Sequence, residues 1–140
     1  MTIVLDAGAI IASERNDPVL TAIVASARKC RNSIVVPASV VAQTWRGSST
    51  HPLAAKFVGS IDMFPALNVE AARRIGVLLR LSKTADVVDG NVTEIAIGMR
   101  PSMIVTSDQS DVARLLTSAN ISHAVFGAQK QQADVVIFPI

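Results

Sequence analysis

The run Ile3-Val4-Leu5-Asp6-Ala7-Gly8-Ala9 decides how this chain is read. Three aliphatic residues make a short buried strand. An acid stands directly at its carboxyl end, and small residues turn the chain at once into Ala9-Ile10-Ile11-Ala12. In open parallel sheets, ligands bind where strands end at their carboxyl side, so the pattern suits the edge of an α/β site. An ionised Asp6 there needs a partner, because an unpaired buried charge is costly. A cation, a metal ion or the N–H groups of a helix start would serve.

The rest of the chain fits such a setting. Its 140 residues suit one domain, spanning 1–140, with room for a proper core. Half of the residues are hydrophobic and 17% are charged, which argues against disorder. The apolar content is mostly aliphatic and Tyr is absent, as expected for strands buried on both faces beneath helices. No charge-free apolar run reaches the length of a membrane span. The opening also lacks the basic and long apolar regions of a signal peptide, so a cytoplasmic protein is expected. Cys30 is the one cysteine, which excludes an internal disulfide and any thiolate metal site. It sits among cations in Arg28-Lys29-Cys30-Arg31, with no base in view, and reads as a bystander. A net charge of +2 falls short of a dedicated nucleic-acid binder by charge alone.

Taken in order, the chain alternates strand and helix. A helix is predicted from Ala9 to Glu14. Asn16-Asp17-Pro18 then forms a break and an N-cap with Pro at the first helical position. Leu20, Ile23, Val24 and Ala27 mark one face of a helix from Val19 to Arg28. Ser33–Val36 is a second strand. Pro37-Ala38-Ser39 opens a helix through Trp45, and Pro52 begins another through Leu53 and Phe57. Phe64–Val69 is predicted as a third strand, held to a strand start or edge by Pro65. Glu70–Leu81 is a helix, and Thr84 is the expected N-cap of the next, which runs to Met99 with Asp86 in its first turn. Met103–Thr106 and Asp134–Phe138 are strands, and Val112–Ser118 is a short helix. Ile121–Gln132 stays open between strand and loop. Such alternation predicts a mostly parallel sheet covered by helices on both faces.

Asp108 follows its strand as Asp6 does. Asp86 and Asp89 are three apart and share a helix face. If the strands are parallel, these acids meet at one edge and repel one another. Mg²⁺ or Mn²⁺ relieves that in an all-oxygen site without thiolate or imidazole. Such an ion activates water and stabilises charge on a phosphate oxygen. The competing reading is structural: Asp108 or Asp111 capping the helix at Val112, and Asp86 as a dipole partner. Strand order decides between them.

The chain resembles the PIN-domain ribonucleases, and among them the toxins of VapBC-type toxin–antitoxin pairs. The matching pieces are Val4–Ala9, Val35–Arg46, Asp86-Val87-Val88-Asp89-Gly90 and Ile104-Val105-Thr106-Ser107-Asp108. The resemblance implies a PIN-like three-layer α/β/α sandwich with an acidic site that needs Mg²⁺ or Mn²⁺ and cleaves RNA, structured RNA such as tRNA above all. Carried over, Asp6, Asp89 and Asp108 fall on the catalytic, metal-holding acids. Asp86 and Asp111 are supporting acids, and Thr106 falls on a hydroxyl position. Gln43 stands where the family commonly has Glu. An amide offers one neutral oxygen and cannot act as a base, so a weakened or non-catalytic RNA- or protein-binding module is the alternative. Asp86 would then supply the missing charge. Arg46, Lys83 and Arg114 are candidates for the RNA backbone. The resemblance also implies a VapB-type antitoxin, with the apolar helices at Val40–Trp45 and Leu53–Phe57 as candidate docking surfaces, and a homodimer. A nucleotide-binding α/β protein ranks low, because no glycine-rich phosphate loop is present.

Overall fold

Two strands, β1 (Thr2–Leu5) and β3 (Ser102–Thr106), form the centre of the molecule. Val4, Leu5, Ile104 and Val105 are completely buried, as aliphatic runs covered on both faces should be. The computed structural model of the chain describes residues 1–128 and 132–140. Around the central pair, β2 (Ser33–Val35), β4 (His123–Val125) and β5 (Val135–Pro139) complete a five-stranded sheet in the order β2-β1-β3-β5-β4, with every pairing parallel.

From β1 the chain passes through α1 (Ala7–Glu14) and α2 (Pro18–Lys29) to β2. It then returns across β1 to β3 by way of α3 (Ala38–Thr44), α4 (Pro52–Gly59), α5 (Val69–Ser82) and α6 (Val87–Gly98). These crossovers step in opposite directions, so right-handed connections put their helices on opposite faces. The packing follows this in α1 against α2 and in α6 against α5 and α7 (Gln109–Ser118), while α4, though part of the second crossover, folds back onto α1. The result is the expected α/β/α sandwich. The direction of winding reverses between β1 and β3, which opens a crevice at their carboxyl ends.

Local chemistry explains most boundaries. Asp17 accepts from the N–H groups of Val19 and Leu20 at 2.9 Å and caps α2, with Pro18 at its start. Asn68 caps α5 through the Ala71 N–H. Four expectations need correction. Phe64–Val69 is not a strand. Val36 N–H donates to the Met63 carbonyl and Ala38 N–H to that of Pro65, but Pro65 has no N–H to return, so the ladder stops at a single bridge, Val35 to Met63. The N-cap of α6 is Asp86 rather than Thr84, which leaves Asp86 outside the first turn. The helix after β1 starts at Ala7, and that after β3 starts at Gln109 rather than Val112. In the open segment Ile121–Gln132, His123–Val125 is a strand; residues 129–131 lie outside the described residues.

Candidate metal centre

The ladder between β1 and β3 runs one residue past β1, where the Asp6 N–H donates to the Val105 carbonyl at 3.0 Å. The chain then turns into α1, with Asp6 as its N-cap. One carboxylate oxygen accepts from the Ala7 N–H at 2.6 Å. The other accepts from the Thr106 hydroxyl at 2.7 Å. The Thr106 oxygen in turn accepts from the Asp108 N–H at 2.9 Å. One hydroxyl therefore fixes the last residue of β3, the buried acid after β1 and the backbone of the acid after β3.

Asp108 occupies the N-cap position of α7, yet its side chain makes no capping bond. The capping role expected as the alternative is thus not taken up by Asp108, whose carboxylate forms no ion pair among the described residues. Asp111 follows in the first turn of α7, and Asp89 sits buried in the first turn of α6. An oxygen from each of Asp89, Asp108 and Asp111 lies within 4.8 Å of the other two. Asp6 stands beside this trio without joining it at that distance; its field and those of Asp86, Asp108 and Asp111 all act on Asp89. Asp86 accepts from the Asp89 N–H at 2.9 Å, a true N-cap that fixes the start of α6.

Burial, then the neighbouring carboxylates led by Asp6, push Asp89 up from 3.8 to about 7. Asp6 is also raised, chiefly by burial, against the lowering effect of its bonds from Thr106 and Ala7. No basic side chain offsets this charge: among the described residues the one ion pair is Arg74 with Glu94, at 2.7 Å between α5 and α6. Partial relief comes from the positive ends of α1, α6 and α7, which begin at Ala7, Val87 and Gln109 beside these acids. Oxygen donors that are crowded, partly buried and unpaired fit a hard divalent cation, and no thiolate or imidazole stands among them.

The other expected residues are placed less centrally. Gln43 is exposed on the last turn of α3. One turn earlier, Ser39 donates to the Asn91 side-chain oxygen on α6 at 2.6 Å, so the face bearing Gln43 is the one braced against α6. Lys83 is exposed in the turn between α5 and α6. Arg114 is exposed on α7 one turn beyond Asp111. Arg46 is exposed after α3 and donates to the Trp45 carbonyl. Sequence reasoning missed the Ser39–Asn91 brace, which joins residues 52 positions apart with no pattern to mark it. It also missed the reason for Gly8: a Cβ there would lie 2.9 Å from the Ser107 backbone nitrogen, so only glycine lets α1 start against the end of β3.

No family model and no curated protein matches the chain. Among solved structures, a chain of VapBC2 from Rickettsia felis, determined bound to a DNA fragment from their promoter, shares its fold. The TM-score is 0.61 at 12% identity, covering 81% of this chain and 92% of that one. The likeness establishes the fold, which is the PIN-like α/β/α sandwich that the sequence resemblance implied.

Proposed function

We propose that this chain is a divalent-metal-dependent endoribonuclease, the toxin of a VapBC-type toxin–antitoxin pair, folded as one domain over residues 1–140. The observation that carries the reading is the gathering of Asp89, Asp108 and Asp111 beside Asp6 at the sheet's switch point, with no basic partner among the described residues. Asp89, Asp108 and Asp111 would hold Mg²⁺ or Mn²⁺. When bound, the ion supplies charge stabilisation at a phosphate oxygen and lowers the pKa of water.

The chain's own groups prepare that site. Thr106 orients Asp6 by donating to it, so Asp6 is directed by a fixed hydrogen bond. Asp86 caps α6 and so presents Asp89 from a rigid first turn. The fold places Asp6 and Asp108 on neighbouring strand ends, where an RNA backbone can lie across both. Lys83, Arg114 and Arg46, all exposed, would meet its phosphates and make binding salt-dependent.

The partner of the reading is a VapB-type antitoxin, and the Rickettsia neighbour was determined as a VapBC2 structure. Of the candidate docking helices, Val40 belongs to the core, whereas Trp45 and Leu53 are exposed. Leu53 and Phe57 line a cavity of about 430 Å³ with Leu20 and Val24 of α2, a groove suited to an apolar segment. No helix among the described residues is long and apolar enough to cross a membrane; the cytoplasmic location is carried over from the sequence reading. A homodimer is carried over from the resemblance.

A second reading rests on Gln43: a PIN-like module that binds RNA or protein without cutting. Cleavage of a tRNA transcript with Mn²⁺, abolished by chelator and by an Asp6→Ala, Asp89→Ala double variant, is the result expected for the nuclease. Cleavage that survives both treatments would refute it. Absence of Mn²⁺ binding at millimolar metal would favour the binding module.

A further inference from the structure

The cluster Arg28-Lys29-Cys30-Arg31, which the acidic site leaves unused, opens onto a polar cavity at the other end of the sheet. The cavity has a volume of about 280 Å³ and lies between the start of β2 and the segment that leaves α4. Arg28 and Arg31 reach it from the end of α2, Ser33 and Ile34 from β2, and Ser60 and Asp62 from beyond α4.

Several donors converge there. Arg28 uses one guanidinium nitrogen on the Ser60 hydroxyl at 3.1 Å, which steadies the side chain and leaves its other donors free. Ser60 itself donates to the Phe57 carbonyl at 2.6 Å, so its orientation is fixed. Arg31 has a left-handed backbone, φ 55°, where the chain turns from α2 into β2. The backbone supplies another donor. Val36 N–H bonds to Met63 across the free edge of β2, so by the two-residue period of a strand the Ile34 N–H faces that same edge, and it makes no bond to the 61–63 segment. Asp62 shares the cavity, yet among the described residues neither arginine forms an ion pair with it.

We infer that this cavity is a second RNA-backbone subsite. Two guanidiniums and a backbone N–H suit a phosphodiester, and the Asp62 carboxylate suits a ribose 2′-hydroxyl donating to it. DNA lacks that hydroxyl, so Asp62 gives the site a preference for RNA. The cavity is at the lower end of ligand-pocket sizes, right for one sugar–phosphate unit. It lies at the amino ends of the strands, on the order of 13 Å from the acids along a four-residue strand. Only a folded RNA with a broad footprint engages both places at once. The inference rests on the nuclease reading for its ligand, but its test reads binding rather than cleavage.

The test is fluorescence anisotropy with a labelled tRNA transcript and a single-stranded DNA of equal length, in chelator, across a salt series. Wild type, an Arg28→Gln, Arg31→Gln variant and an Asp62→Asn variant are compared, with melting curves confirming their fold. Losing two phosphate contacts lowers the slope of log affinity against log salt by about 1.4 and weakens RNA binding roughly tenfold. Asp62→Asn narrows the preference for RNA over DNA and leaves DNA affinity unchanged. An Arg28→Lys, Arg31→Lys variant keeps the salt slope, which separates lost charge from lost folding. Unchanged RNA affinity and slope in the folded double glutamine variant would overturn the subsite, and so would loss of DNA and RNA binding in equal measure in Asp62→Asn. Wild-type RNA binding that depends on both arginines, without any cleavage, would retain the subsite while the nuclease reading fell.

Discussion

The Thr106 hydroxyl donates to Asp6 across 2.7 Å while accepting from the Asp108 N–H at 2.9 Å, and so ties together two acids that belong to different strand ends. Both Thr106 and Asp6 are buried, so neither finds replacement water easily. Thr106→Val keeps the shape and removes the hydroxyl. It leaves an Asp6 oxygen and the Asp108 N–H without their partner, a cost of about 1–3 kcal/mol. Urea denaturation should show that loss, with Thr106→Ser close to wild type. Losing the bond that lowers the Asp6 pKa also means that Mn²⁺ binding to Thr106→Val needs a higher pH. A Thr106→Val protein of wild-type stability would contradict this account.

Asp89 gives the molecule a pH dependence of definite sign. Its carboxyl is raised from 3.8 to about 7, mainly by burial and then by Asp6 and the other acids. Between these values the folded chain holds a proton that the unfolded chain has released, so Asp89 stabilises the fold at low pH and that contribution fades as pH rises through the window. Asp6 is raised too and acts in the same direction. The metal-free Asp89→Asn protein should therefore gain stability over wild type as pH rises from about 4.5 to 7.5. Mn²⁺ should raise the wild-type Tm far more at neutral pH than at pH ~5, because a protonated carboxyl is no ligand. Thermal melts at the two pH values check both effects, and a constant difference between wild type and variant would exclude this assignment.

Some of this was legible in the residues and some was not. Asp6 and Asp108 announced themselves because each follows a short apolar strand, Asp6 directly after Leu5 and Asp108 two residues after Thr106, and such runs are central parallel strands. Whether those ends would be neighbours was set by the order β2-β1-β3-β5-β4, a long-range property that no local pattern carries. The strand expected at Phe64–Val69 failed on one missing N–H, that of Pro65, although its carbonyl is bonded as an edge segment's would be. Thr84 was the expected cap, with Asp86 in the first turn, but the cap is Asp86, the side chain that reaches the Asp89 N–H. Asp111 emerged as a member of the trio only when α7 began three residues earlier than Val112, at Gln109, which brings its first turn over the crevice.

Gly8 and Gly90 should respond differently to the same added methyl. At Gly8 it would meet the Ser107 Oγ at 2.6 Å and the Ser107 backbone nitrogen at 2.9 Å. Backbone cannot turn aside, so α1 or the start of the β3–α7 turn must move, and Asp108 moves with it. At Gly90 the nearest atoms are side-chain methyls rather than backbone, Ile75 Cγ2 at 2.8 Å and the flexible end of Leu79, Cδ2, at 3.2 Å. Gly8→Ala should cost about 1–3 kcal/mol and weaken Mn²⁺ binding. Gly90→Ala should cost less, because the better helix propensity of alanine offsets part of the crowding by roughly 0.5–1 kcal/mol. Urea melts together with Mn²⁺ titration test the order; equal losses at the two sites would rule out the close approach of α1 to β3 as the cause.

Gln43 and Asp86 together test how the site balances its charge. Asp86 spends one oxygen on the Asp89 N–H, so its first duty is to begin α6. Serine caps a helix as well as aspartate does. Asp86→Ser should therefore preserve stability to within about 0.5 kcal/mol while removing one of the charges that raise Asp89. If Asp86 only caps and does not replace the missing glutamate, this variant loses less Mn²⁺ affinity than Asp108→Asn. Gln43→Glu adds a carboxylate on the α3 face braced by Ser39 and Asn91. In a metal-holding site it should tighten Mn²⁺ binding roughly tenfold or more, the scale on which outer ligands act, and destabilise the metal-free chain through added repulsion. Calorimetry on the four proteins separates these roles. Tighter binding in Gln43→Glu, with Asp86→Ser near wild type, identifies position 43 as the place where this chain gave up a charge. An unchanged affinity in Gln43→Glu would mean that α3 stands too far from the trio to contribute.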